Sequence, residues 1–409
     1  MKYVPFLLVS LLPLQNIYLG KLPSLGGGLN ALNILFFLSF LYAINCQKKT
    51  SPDNSTHRMI GIMVCSYAFS FFWGSLRSGF DPNNVSTFKD LLLPYLLFYI
   101  VYRSIDSLSV ARKFFYATIV PLPYMFKVFY TNLSWMGFSG YKDKLRYNNG
   151  TFMELGSNEI AAFYAAYTFV ILAVAFKEKN KYILWGLYSV SILNIYSIVY
   201  AFSRSAYLSS LIAVVVLCFL CGKIKQLILC TVFFILLIIL GVKVIPNATF
   251  ERFNSSFVDE SELDESAQKR LVLWTVARDK FSENPMFGIG YHNFIKENPY
   301  HMDTHNLYLR TLAEGGLLGF TILITFFVHS LRRGIQLYRI ATEPFLKALA
   351  SGFIACMVAM IVGNFFGDRF SYYPLISYFF VYLAIVVKGI EMSRKGGGDV
   401  TYAHSTSYK

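Results

Sequence analysis

Residues 182–221 read YILWGLYSVSILNIYSIVYAFSRSAYLSSLIAVVVLCFLC. Two apolar runs, 182–200 and 206–221, meet at the short turn 201–205, and Arg204 is the only charge in the stretch. A helix needs roughly 20 mostly apolar residues to cross the hydrocarbon core of a bilayer. The pair therefore predicts two consecutive membrane helices joined by a turn at one membrane face. Charge at such a turn is expensive, so Arg204 must snorkel, pair with a carboxylate or bind an anion.

The same reading extends to both sides. Apolar runs predict further spans near 3–19, 29–44, 59–76, 88–102, 114–136, 158–176, 226–245, 308–331, 348–366 and 373–390. The expected fold class is an all-α integral membrane protein of about twelve transmembrane helices. Composition agrees: 55% of the residues are hydrophobic and only 15% charged, against about 25% charged in soluble proteins. The first run is read as a membrane helix and not a cleaved signal, because no small-residue cleavage site follows it. With the N-terminus in the cytoplasm, the inside loops carry Lys48/Lys49/Arg58, Arg103/Arg112/Lys113, Lys177/Lys179/Lys181, Lys223/Lys225, Arg332/Arg333/Arg339/Lys347 and Lys388/Arg394/Lys395. Each is basic, as orientation in a membrane requires. The net charge of +14 is thus a topology signal spread over many loops, and it predicts no nucleic-acid partner.

This register divides the chain into spans one to nine over 1–245, a large periplasmic loop over 246–304 containing short helices, the last three spans over 305–395, and a cytoplasmic tail over 396–409. A loop so long is functional or disordered. After the acidic run 259–265, Ser266 is placed to cap a helix whose one face carries Arg270, Trp274, Ala277 and Phe281, ended by Pro285 and Gly288/Gly290. The acidic run lacks the alternating ligands and glycine of a calcium loop and reads as solvated. A second outside loop, 137–157, carries Lys142, Lys144, Arg146 and Glu154. The cysteines Cys46, Cys65, Cys218, Cys221, Cys230 and Cys356 lie in spans or near their inner ends. They suggest apolar filler, without disulfides or metal spacing.

Three segments together resemble the O-antigen ligase and O-antigen polymerase superfamily of bacterial envelopes. They are Ser203-Arg204-Ser205-Ala206; the run from Arg270 through Trp274, Ala277, Phe281, Asn284-Pro285 and Phe287-Gly288-Ile289-Gly290 to Phe294; and Asp303-Thr304-His305-Asn306, followed after nine residues by Gly316-Leu317-Leu318-Gly319-Phe320. Phe320 stands where ligases often have Thr. The resemblance implies a metal-independent glycosyltransferase with no cofactor. It would take a glycan from undecaprenyl diphosphate and pass it to an acceptor hydroxyl, on a glycan or on lipid A-core, at the periplasmic face of the inner membrane. Ligation to lipid A-core is the nearest branch; a polymerase, a protein O-oligosaccharyltransferase and a lipid-linked sugar flippase are the alternatives. Repeats and deeply buried charges, which a transporter needs, are not evident.

In such a reaction negative charge grows on the leaving diphosphate. Arginine suits it, because its planar fork meets phosphate oxygens in pairs and stays charged. Arg204 and Arg270 are the expected diphosphate contacts. His305, at the mouth of a span, is the expected base for the acceptor hydroxyl, with Asp303 near enough to orient it and Asn306 beside it. Arg310 is expected to pair with Glu314 at i+4 and is held as a reserve phosphate contact; Asp368-Arg369 in the last outside turn and Lys127, a lone cation within a span with no evident partner, are assigned no role beyond that. His301 and His305 stand at a zinc-compatible spacing, but Asp303-Thr304 between them reads as a helix start, leaving His301 in the loop. Gly315, Gly316 and Gly319 are expected to let neighbouring helices approach closely.

Overall fold

The computed structural model describes residues 2–15, 30–46, 54–136, 150–152, 155–225, 228 and 265–405. Its elements are α1 (Val4–Leu11), α2 (Ala31–Asn45), α3 (Asn54–Ser78), α4 (Pro82–Ser104), α5 (Leu108–Ile119), α6 (Leu122–Met136), α7 (Ser157–Ala175), α8 (Lys181–Tyr200), α9 (Arg204–Leu220), α10 (Glu265–Glu283), α11 (Phe294–Glu297), α12 (Leu307–Ile340), α13 (Pro344–Gly363) and α14 (Tyr373–Ser405). No strand occurs among the described residues. Seven of these helices, α3, α4, α7, α8, α12, α13 and α14, are long and apolar enough to cross a membrane, and α2 and α9 are shorter apolar helices. The protein is therefore a multi-pass, all-α membrane protein. Residues 16–19 of the first expected span, the span at 226–245 apart from residue 228, residues 142, 144, 146 and 154, Cys230, the acidic run up to 264 and the side chain of Ser266 lie outside the described residues.

Helix starts follow local chemistry. The Asn30 side-chain Oδ1 accepts from Asn33 N–H at 2.8 Å and the Asp81 carboxylate from Asn83 N–H at 2.9 Å, while the Glu343 carboxylate accepts from Leu346 N–H at 2.9 Å; each satisfies a donor that the first helical turn leaves orphaned. The single span expected over 114–136 is instead two helices, α5 and α6, meeting at Val120 and Pro121. Pro121 and Pro123 explain the break, since each lacks a backbone donor and crowds the preceding turn.

The interior is built around α14, of whose apolar window 94% is buried. Beside it α13 and α7 approach so closely that a Cβ on Gly352 would lie 2.6 Å from Val170 Cα. Close contact through small residues is how membrane helices gain dispersion energy, since lipid offers no hydrophobic drive between them. Outward, Phe72, Leu76, Trp185 and Phe219 are exposed, a pattern suited to lipid.

One irregularity matters for the site. α12 breaks at Gly316 (φ 62°, ψ −162°), a region open essentially to glycine alone. The chain 285–290 docks into the gap: Ile289 and Gly290 N–H donate to the Ala313 and Glu314 carbonyls at 2.8 and 2.9 Å, and Leu317 and Leu318 N–H donate to the Pro285 and Met286 carbonyls at 2.8 and 3.2 Å. The expectation that Gly315, Gly316 and Gly319 ease the approach of neighbouring helices is thereby corrected. A Cβ on Gly316 would meet Met286 backbone at 2.4 Å, whereas Gly315 and Gly319 meet nothing closer than the Thr311 side chain or carbonyl, at 3.8 Å or more. Gly290 (φ 94°) in turn lies against Gly74 of α3, where a Cβ would be 2.1 Å from the Gly74 Cα. The two glycine motifs form one clamp.

Candidate active site

The clamp fixes the N-terminal part of α12, and His305 stands just before its first turn. Asn306 caps the helix, its side-chain oxygen accepting from Tyr308 and Leu309 N–H at 3.0 and 3.1 Å. Thr304 is fully buried; its hydroxyl donates to the Asn306 carbonyl at 2.8 Å and accepts from Asn306 N–H at 3.1 Å. Between these two anchored residues His305 takes φ 52°, a left-handed conformation that costs on the order of 1–3 kcal/mol and persists only where neighbours enforce it. The half-buried imidazole is held down to a pKa of about 4, first by burial and then by Arg270 and Arg369, against the opposing charges of Glu159 and Asp368. It is neutral at pH 7 with one nitrogen lone pair able to accept a proton.

Arg270 of α10 lies near enough to this imidazole for its charge to bear on it. Leu273 and Ala277 of α10 are buried against Ile289, Phe294 and Ala313, so the helix packs on the clamp itself. Trp274 Nε1 donates to the Thr304 carbonyl at 3.0 Å, tying α10 to the residue before His305. Arg204 opens α9 and is half-buried; the preceding Phe202 is at φ 51° and 2% exposed, and Ser203 is buried. Ser205, next to it, lines a cavity of about 20 Å³ together with Ser209 and Arg369. The structure thus gathers His305, Arg270 and Arg369 directly and brings the Arg204 turn to Arg369 through Ser205.

Arg310 does make the expected pair with Glu314, Nε to Oε2 at 3.2 Å, but as part of a buried network. Its Nη1 bonds Asp368 Oδ2 at 2.6 Å and lies 3.9 Å from Asp303 Oδ2, and Nη2 donates to His292 Nδ1 at 3.4 Å. Carboxylates occupy Arg310, which ties α12 to the turn that follows α13. Asp303 faces that guanidinium and Thr304 Oγ1 (3.3 Å); a buried cation claims the acceptors around it. Glu159 and Asp368 are the carboxylates whose charge opposes the lowering of the His305 pKa. Burial raises the Asp303 carboxyl to about 7 even beside Arg310. His301 is exposed in the loop, its Nδ1 3.2 Å from the Ile295 carbonyl. Among the described residues no group of three or more His, Cys, Asp or Glu is arranged to hold a metal ion.

Sequence reasoning overlooked Glu159 and His292. Glu159 sits at the third position of α7 and bonds its own helix start, Gly156 N–H, at 3.0 Å. Its signal was present: a lone carboxylate at the mouth of an apolar span needs a partner. His292, at φ 61°, carries no such signal, for its place depends on the clamp.

Residues 189–324 match the profile of the family described as O-antigen ligase. This supports the O-antigen ligase and polymerase superfamily, and the matched segment contains Arg204, Arg270, His305 and Arg310. No curated protein matches the chain.

Proposed function

We propose that the protein is a membrane glycosyltransferase that moves a glycan from undecaprenyl diphosphate to an acceptor hydroxyl at the periplasmic face of the inner membrane, as an O-antigen ligase acting on lipid A-core. The observation that carries the reading is a neutral histidine, locked in a strained conformation at the mouth of α12, with arginines beside it. In the reaction the acceptor oxygen bonds the anomeric carbon as the carbon–oxygen bond to diphosphate breaks. The hydroxyl proton passes to His305, and the bonding pair leaves with the diphosphate. Fixed cations aimed at that charge are commonly the largest catalytic contribution, and Arg270 and Arg204 supply them. With this charge already in place, the reading is of a metal-independent enzyme: added chelator is expected to leave transfer unchanged, and inhibition reversed by metal would sink that part.

The remaining reading is a layout of about twelve spans, with both termini in the cytoplasm and the 246–304 loop in the periplasm. A polymerase of the same superfamily is the second reading, since the matched family supports the shared chemistry and not the acceptor. Deletion of the gene separates the two on one gel. Bare lipid A-core with polymer retained on undecaprenyl diphosphate is the outcome expected of a lost ligase. Core capped with a single repeat unit would replace the ligase by the polymerase.

A further inference from the structure

The last outer turn holds an arginine that this reaction scheme leaves without a task. Arg369 lies between α13 and α14, its N–H bonded to Asn364 Oδ1 at 2.9 Å, and its side chain is 9% exposed. The guanidinium lies flat on Gly367, where a Cβ would stand 2.6 Å from Cζ. Nη1 donates to Glu159, while the buried Nε has no hydrogen-bond partner among the described residues. A buried donor on a charged group is costly to leave unmade, and here it sits in a side chain that lines the cavity shared with Ser205 and acts on His305 alongside Arg270. Glu159, by contrast, is anchored at its other oxygen to its own helix start, so it is not carried along if Arg369 turns to another anion.

We propose that Arg369 is a third cation for the donor diphosphate, with Glu159 as its resting counter-ion, so that donor binding exchanges the carboxylate for phosphate oxygens at the same guanidinium fork. The inference rests on the reading of this site as one that uses a polyprenyl diphosphate. The planar fork presents two parallel donors to phosphate and only one of its nitrogens is engaged by Glu159, which favours the exchange. Once released, the Glu159 carboxylate remains near His305 and is placed to balance the imidazolium that forms when the hydroxyl proton is taken. No bond is made or broken in the exchange itself.

The test is equilibrium binding of undecaprenyl diphosphate to the full-length protein in detergent, with Arg369→Gln, Glu159→Gln and Arg270→Gln compared with the parent. Loss of a charge-assisted contact predicts binding at least about tenfold weaker for Arg369→Gln. Glu159→Gln removes the competitor and is expected to bind several-fold more tightly. An ion pair with only a structural role would weaken binding in both variants, and that result, or unchanged binding in Arg369→Gln, overturns the proposal. If Arg369→Gln is not monodisperse, Glu159→Gln decides alone: tighter binding supports the exchange, and unchanged or weaker binding refutes it. If Arg270→Gln weakens binding and Arg369→Gln does not, this inference fails and the reading of the site stands. If the parent does not bind, or Arg270→Gln is without effect, both fail.

Discussion

At the scale of single residues, the proposed chemistry turns on how the charges around His305 set its proton affinity. Its pKa of about 4 reflects burial and the cations Arg270 and Arg369, with Glu159 and Asp368 opposing them. A diphosphate between those cations adds negative charge and must raise the value. The acid limb of kcat/KM, which reports the free enzyme, is therefore expected near 4, and the limb of kcat, which reports the donor complex, at higher pH. Activity falls as pH drops through either limb, because protonation removes the base. Coincident limbs would show that the donor does not sit among these cations. His305→Ala is expected to slow transfer by roughly 10²–10⁴-fold while leaving donor binding largely intact, measured by single turnover and by binding on the same preparation. Equal loss of binding would move His305 into the donor pocket. Arg270→Lys should be nearly as damaging as Arg270→Ala, since an ammonium cannot reproduce the planar fork; a lysine variant with full transfer rate would reduce Arg270 to a generic cation.

At the scale of elements, the glycine clamp joins three parts of the chain far apart in sequence: α3 at Gly74, the 285–290 segment and the break in α12. Gly290→Ala would set a Cβ against the Gly74 backbone at φ 94°. Overpacking of that kind costs about 1–3 kcal/mol, and the conformation adds to it. A lower thermal midpoint in detergent is expected, with transfer falling along with it, because His305 and α10 are seated on the clamp. Gly319→Ala, whose added Cβ has ordinary contacts with Thr311, serves as the control and should be near neutral. A Gly290 variant as stable as that control would show the clamp to be slack. The two motifs were visible in the sequence, but their partnership was not. A period-3.6 reading treats Gly315, Gly316 and Gly319 as one helix face, and only the positive φ at Gly316 reveals that the helix opens there to accept a second chain. For the same reason Arg310 was legible only as an i+4 partner of Glu314, while Asp368, its shortest contact, lies beyond another helix.

At the scale of the whole molecule, the seven long apolar helices were readable because lipid imposes a simple rule on long apolar runs, and the expected span at 114–136 departs from it where Pro121 and Pro123 intervene. Orientation has a second line of argument, independent of the count of spans. Polar contacts at and near the helix ends divide into two sets. One joins Arg103 to the Cys46 carbonyl, Arg112 to Glu343 and Arg333 to Ser55; the other joins Lys296 to Asp81, Arg77 to Asn284, Arg369 to Glu159 and Arg310 to Asp368. The first set lies by the short segments rich in Lys and Arg, the second by the segments that hold the candidate site. In the proposed orientation, with basic short loops in the cytoplasm, the second set, with α10 and His305, is on the other side. A reporter fused after Glu283, at the end of α10, is accordingly expected to behave as periplasmic, and one fused after Arg339 as cytoplasmic. The pair tests the orientation without depending on the number of spans between them and the N-terminus. If the two signals were reversed, Arg270 and His305 would face the cytoplasm, and a periplasmic transfer reaction at this site would be ruled out.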